Sequence, residues 1–274
     1  MILGGTVTGQ FTNVKEWESL LERSCFGAIT APFTCEDDEN KIRDYMSVIN
    51  DHKVKISEIG VWRNILKKEN VPYAVGQLEL AEKLGIECVV NIAGTKGTLS
   101  WDCADKSNYT DENYADIVKS IQNVIDSVKP ERAFYTIEPM PWMIPDGPDV
   151  YLKLIEDVNR EHFAVHMDFV NMINSPRRFI CAESFIEECF AKLSANIKST
   201  HIKDSRMNLN GYTTHIDECP PGEGELDYPA VLKILNRYLP KDGAILLEHM
   251  STFEEYDRAF RFVKNAASSA GVDL

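Results

Sequence analysis

Phe134-Tyr-Thr-Ile-Glu138-Pro-Met140 is a short apolar run that stops on a carboxylate and then a proline. Three later runs have the same form. Phe163-Ala-Val-His166-Met-Asp168 stops on an aspartate, Ser199-Thr-His201-Ile-Lys-Asp204 carries a histidine, and Ala244-Ile-Leu-Leu-Glu248-His249 stops on a glutamate. Each reads as a buried strand, since parallel strands covered on both faces are near-continuous in apolar residues. Each then places a metal-ligand side chain at its C-terminal end. In a parallel barrel those ends meet on one face, the face where such folds do chemistry.

The rest of the chain alternates in the same way. Strands are expected at residues 2–9, 26–32, 56–62 and 88–94, ahead of the four above. Helical spacing of apolar residues follows each of them, at 14–23, 37–52, 73–84 and 110–128. Thr110 is placed to cap the last of these, and Pro148 to sit in the first turn of a helix over 146–158. Further helices are expected at 185–193, 227–238 and 252–267. Residues 171–184 read as a polar loop with a short helix, and 205–226 as a long loop rich in Gly and Pro. Strand and crossover helix thus alternate eight times, which predicts a parallel sheet closed into a (β/α)8 TIM barrel. No linker or change of composition divides the chain, so residues 1–274 are expected to form a single domain.

Charge excludes more than it identifies. With 43 acidic against 29 basic residues the formal net charge is -14. That balance repels phosphate backbones and anionic lipid, so neither nucleic acid nor membrane is an expected partner. No apolar run approaches the ~18 residues of a spanning helix, and the N-terminus lacks a basic then apolar leader. The seven cysteines are odd in number and none is spaced C-x-x-C. Reduced thiols and a cytoplasmic location are the expectation. A nucleotide cofactor is not expected, because no Gly-rich phosphate loop is present.

Glu138, Asp168, His201 and Glu248 form an oxygen-rich set with one imidazole. Such donors suit Mn²⁺ best, with Mg²⁺ or Co²⁺ also accommodated. A structural zinc site would carry thiolates or more histidines. Asp204, close after His201, is one candidate to orient its imidazole. His166 shares the inward face of Asp168 and is a candidate for substrate or for the surroundings of the ion. His215 and Glu218 lie in the long loop after strand seven, a candidate substrate wall. Trp62, Trp101 and Trp142 follow strand ends, where an aromatic ring could pack on a sugar face. Lys203 and Arg206 could meet an anionic group, or Lys203 could face outward. His249 is expected to face away from Glu248 and pack.

The set Glu138-Pro, His166-x-Asp168, His201-x-Lys-Asp204 and Glu248 resembles the xylose isomerase-like TIM barrels, the sugar (phosphate) isomerase and epimerase group. Gly60-Val-Trp62-Arg-Asn64 and His215-x-x-Glu218-x-x-Pro221-Gly-x-Gly224-x-Leu-Asp227 add to it. The resemblance implies Glu138, Asp168, His201 and Glu248 as ligands of a divalent ion. By similarity to ketose 3-epimerases it also implies Glu138 and Glu248 as the acid–base pair. The expected activity is a metal-dependent isomerase or epimerase on a small carbohydrate or glycoside, and a homo-oligomer is compatible with it. The chain departs from the epimerases where they carry a second glutamate and a histidine: here stand Met143-Ile144 and Asn171. Arg206 lies one position out of register with their arginine. The alternative inside the superfamily is a lyase acting on 3-keto glycosides, including C-glycosides. Trp62, Trp101, Met140, Trp142, Met143 and Met172 would suit a substrate with an apolar part. A DNA repair endonuclease of this fold would need more than six histidines and a basic groove.

Overall fold

The computed structural model describes residues 1–274. The first half contains β1 (Ile2–Gly5), α1 (Val14–Ser24), β2 (Ala28–Thr30), α2 (Glu39–Asp51), β3 (Lys55–Gly60), α3 (Val71–Leu84), β4 (Cys88–Ile92) and α4 (Asp111–Val128). Then come β5 (Phe134–Glu138), α5 (Pro148–Val158), β6 (Phe163–Asp168), α6 (Phe169–Met172), α7 (Pro176–Ile180), α8 (Ala182–Leu193) and β7 (Ile197–Ile202). The last part holds β8 (Asp204–Met207), β9 (Ile216–Cys219), α9 (Tyr228–Tyr238), β10 (Ala244–Leu247) and α10 (Phe253–Ala270). Eight of the strands close a parallel barrel in the order β1-β10-β7-β6-β5-β4-β3-β2. The expected TIM barrel is therefore the fold.

Local signals set the helix starts. Thr110 accepts the Asn113 N–H at the head of α4, and Pro148 opens α5. A capping box between Thr252 and Glu255 starts α10. The helices bury apolar faces such as Ile117, Ile121 and Val124 against the outside of the barrel. The inside is different. Its small apolar cluster is Ala28, Ala244 and Leu246. Polar side chains rise from it toward the mouth, as period-two alternation requires: His166 and Asp168 on β6, and Ser199, His201 and Lys203 along β7 and just past it. Register brings them level. Asp168 pairs with His201, and His201 with Leu246, two residues before Glu248.

Two segments differ from the expectation. Residues 171–184 are mostly helical, split between α6, α7 and the start of α8. The stretch 205–226 is not a plain loop, because β8 and β9 form an antiparallel hairpin, Asp204↔Cys219 to Met207↔Ile216. Its polar, Gly-containing sequence lacks the apolar alternation that marks a half-buried strand. Asp204 anchors both the hairpin and the turn after it. Its carboxylate accepts the N–H groups of Ser205, Gly222, Gly224 and Leu226 at 2.8–3.2 Å. Gly224 is needed there, since a Cβ would stand 2.2 Å from Asp204 Oδ1. None of the seven cysteines is in a disulfide. No helix is long and apolar enough to cross a membrane.

Candidate metal centre and substrate cleft

The last residues of β5 and β6, together with His201 near the end of β7 and Glu248 just past β10, converge at the mouth. Glu138, Asp168, His201 and Glu248 each offer a ligand atom, and these atoms lie within 4.8 Å of one another. His201 Nδ1 stands 3.3 Å from Glu138 Oε1 and 3.0 Å from Glu248 Oε2. Asp168 divides its work. Oδ1 caps α6 by accepting the Asn171 N–H at 2.9 Å, while Oδ2 is buried without a hydrogen bond. Glu248 Oε2 is likewise buried without one.

The Lys203 ammonium stands 2.8 Å from each of these oxygens, and His201 Nδ1 3.0 Å from Glu248 Oε2, close enough to pair but out of line for a hydrogen bond. Three carboxylates crowded in a dry site repel one another unless cations sit among them. The donor set, three oxygen ligands and one imidazole nitrogen, fits a hard or borderline divalent ion.

The charges are uneven. Burial and the neighbouring Glu248 charge push the Glu138 carboxyl up from its ordinary value. Burial would raise Glu248 too, but the His201 and Lys203 charges outweigh it and hold Glu248 well below the usual range. Burial opposes the charge on Lys203, yet Asp168 and Glu248 hold it protonated. For His201 the carboxylates of Glu248, Glu58 and Glu138 likewise outweigh burial and raise it.

Lys203 is the main surprise of this layer. It is 1% exposed and faces inward, with Glu218 Oε2 at 3.1 Å and Asn171 Oδ1 at 3.2 Å as further partners. His201 and Lys203 are two residues apart on one extended run, so both side chains enter the barrel. The outward alternative is thus excluded. Asp204 does not orient His201, being committed to the loop it anchors. Glu58 on β3 takes that place, with Oε1 2.9 Å from His201 Nε2. Nothing in the apolar reading of β3 marked Glu58 beyond its being an acid within a buried strand.

Two adjoining cavities open above the acidic cluster. The smaller, about 230 Å³, is walled by Trp62, Trp101 and Met140, with Glu138 and Glu248 at its floor. Gly60 makes room for one wall: a Cβ there would stand 1.9 Å from the Trp62 indole nitrogen. The larger, about 670 Å³, runs outward between Trp142, Val170, Ile173 and Ile216, with Asn171 and Glu218 on its polar side. Asp102, Met140 and His249 border both.

Of the expected substrate residues, Trp62, Trp101, Trp142, Asn171 and Glu218 line this cleft. Three do not. His166 lies fully buried beneath His201, bound to Glu58 at 3.0 Å. Arg206 is exposed on the hairpin and lines neither cavity. His215 is exposed and pairs with Asp217 at 3.0 Å. Both are exposed, while Ser205, Thr214, Ile216, Asp217 and Glu218 of the same segment line the cleft. His249 reverses its expected role as well. Its backbone is left-handed, φ 59°, which breaks strand alternation and turns the ring into the cleft, 2.8 Å from Glu218.

No curated protein matches the sequence. Solved structures do match the fold. A magnesium complex of a xylose isomerase-like TIM barrel protein from Mycobacterium smegmatis superposes with TM-score 0.70 at 16% identity, covering 94% of this chain and 90% of that one. The 3-keto-D-glucoside 4-epimerase of E. coli gives 0.71 at 14% identity, covering 97% and 99%. An L-ribulose 3-epimerase gives 0.70 at 15% identity, covering 98% and 95%. At these identities the likeness speaks for the fold alone. The sequence profile described as xylose isomerase-like TIM barrel matches residues 36–266, most of the chain, and the protein belongs to that family.

Proposed function

We propose that this protein is a divalent-metal-dependent isomerase or epimerase of a small carbohydrate, working by proton abstraction next to a carbonyl through an enediolate. The observation that carries the reading is the convergence of three carboxylates and one imidazole at the floor of a cavity walled by Trp62 and Trp101. Glu138, Asp168, His201 and Glu248 would hold the ion, with Mn²⁺ favoured and Mg²⁺ or Co²⁺ accommodated. When bound, a divalent ion supplies stabilisation for the negative charge that develops on the substrate oxygens.

The protein supplies the proton transfer. Glu138 and Glu248 both border the smaller cavity, and their environments push their proton affinities apart. Such a split assigns roles: Glu248, pulled down, takes the proton, and Glu138, pushed up, returns one. Trp62 and Trp101 wall the sugar and exclude water, while Asn171 and Glu218 meet hydroxyls on the open side. The named activities of the L-ribulose 3-epimerase and the 3-keto-glucoside 4-epimerase fit this chemistry.

The larger cavity favours a second reading, a lyase or epimerase acting on a 3-keto glycoside. Its apolar wall of Trp142, Val170, Ile173 and Ile216 would take the aglycone. Ketoses and 3-keto glycosides incubated with Mn²⁺ and enzyme in D₂O separate the two. Deuterium beside the carbonyl of a ketose supports the first reading, and a released aglycone the second. Proton abstraction by Glu248 fails if metal-loaded Glu248→Gln turns over the substrate at the wild-type rate.

A further inference from the structure

Glu58 lies outside the four-residue set, and its contacts have a definite sense. It is fully buried, 0% exposed, at the level of the β3 strand just below the acidic cluster. Oε1 is 2.9 Å from His201 Nε2 and 3.3 Å from Thr30 Oγ1. Oε2 is 3.0 Å from His166 Nε2 and accepts the Ser199 hydroxyl at 2.6 Å. Side chains from β2, β6 and β7 thus all turn their donors onto one carboxylate of β3.

An ionised carboxylate only accepts hydrogen bonds. Both imidazoles must therefore present Nε2–H to Glu58. For His201 this leaves Nδ1 as the nitrogen that faces Glu138 and Glu248. That is the nitrogen a divalent ion would take, in place of the proton that those two carboxylates draw onto it. The same carboxylate fixes His166, whose ring packs edge-on against His201 with centroids 4.1 Å apart at 77°. His166 Nδ1 has no partner, so Glu58 is the group that holds this ring by hydrogen bonding.

We infer that Glu58 is the positioning residue of the metal centre: it fixes the His201 tautomer and ring orientation directly, and through His166 it braces the ring from below. This rests on the metal-dependent reading of the site. Carboxylate partners of ligating histidines are worth about 10–100-fold in metal affinity when removed. Glu58→Leu removes both acceptors. Glu58→Gln keeps the shape but offers one oxygen and one NH₂ to two imidazole donors, so one ring must change tautomer.

The test is calorimetric titration of the metal-free protein with Mn²⁺, with ¹⁵N-histidine spectra of the Mg²⁺-loaded protein. Wild type should bind one ion per chain and show His201 protonated at Nε2. Glu58→Gln should bind roughly tenfold more weakly, Glu58→Leu up to about 100-fold. In both variants the His201 Nε2–H signal should be lost or shifted. The glutamine variant carries the test if the leucine variant does not fold. Wild-type affinity in folded Glu58→Gln, with unchanged histidine signals, overturns the inference and leaves the metal reading standing. A second ion per chain that Glu58→Leu abolishes also overturns it, by making Glu58 a ligand. No saturable binding by wild type overturns the metal reading and this inference with it.

Discussion

Lys203→Met is the perturbation with the most to say about the centre. The Lys203 ammonium stands 2.8 Å from Asp168 Oδ2, 2.8 Å from Glu248 Oε2 and 3.1 Å from Glu218 Oε2, at 1% exposure. Removing one member of a buried ion pair costs about 3–5 kcal/mol, because the other charge stays buried without a partner. Three carboxylates share this one cation, but they can also take up a proton, which caps the loss near that range. At roughly 2–4 °C per kcal/mol for a chain of this size class, metal-free Lys203→Met should melt about 10 °C below wild type. Added ion should reverse the order of effects. The ammonium contacts two of the proposed ligands, so it repels a divalent ion held by them. Even at the dielectric of water, unit charges ~4 Å apart interact by about 1 kcal/mol, and a divalent ion doubles that. Mn²⁺ should therefore bind Lys203→Met on the order of tenfold more tightly. Saturating ion already stabilises a folded protein by about 2.7 kcal/mol at 100 times Kd. At equal Mn²⁺ the variant should gain more than wild type. Scanning calorimetry with and without Mn²⁺ reads both effects. A metal-free variant that melts within about 2 °C of wild type would refute the role given to Lys203, and so would a Tm gain with Mn²⁺ no larger than that of wild type.

Other perturbations test neighbouring parts. His201→Ala should weaken Mn²⁺ binding severely with the circular dichroism spectrum intact, since His201 sits at the mouth and not in the main apolar core; unchanged affinity by titration calorimetry would remove it as a ligand. Asp204→Ala strips the acceptor from the N–H groups of Gly222, Gly224 and Leu226, and should cost roughly 3 kcal/mol in urea unfolding while speeding proteolysis within 205–226. Glu82 joins α3 to the start of β5, accepting the N–H groups of Arg132 and Ala133 at 3.0 and 2.9 Å. Burial opposes its charge, but those N–H groups and the Arg132 side chain pull it down to about 2. A carboxylate lowered in the folded state adds stability above its unfolded value and loses it as pH falls through the folded one. Glu82→Gln should thus cost roughly 1–2 kcal/mol at pH 7, less than full burial would give because the group meets solvent, and the gap should narrow between pH 4.5 and 2. Urea titrations at pH 7 and about pH 3 decide it, and a gap independent of pH would count against that anchor.

What the sequence determined by itself is the periodic part of the molecule. Eight apolar runs with helical stripes between them leave little but a parallel barrel, because each strand must be covered on both faces. Once the strands are placed, alternation sends Glu138, Asp168 and His201 inward at one end, and Glu248 comes one residue after the last strand. Those positions depend only on period and direction, both local properties. Tertiary structure decided the rest, for reasons that no local pattern carries. Glu58 meets His201 across 143 residues of chain, and only barrel closure brings β3 opposite β7. Lys203 could be read outward or inward until the register of β6, β7 and β10 set Asp168 and Glu248 beside it. His249 enters the cleft because of one left-handed backbone angle, which an Ala-to-Leu strand pattern does not announce. His166, Arg206 and His215 left the cleft for the opposite reason: sequence placed them near the right strand ends, but burial and hairpin facing are settled by neighbours far away in the chain.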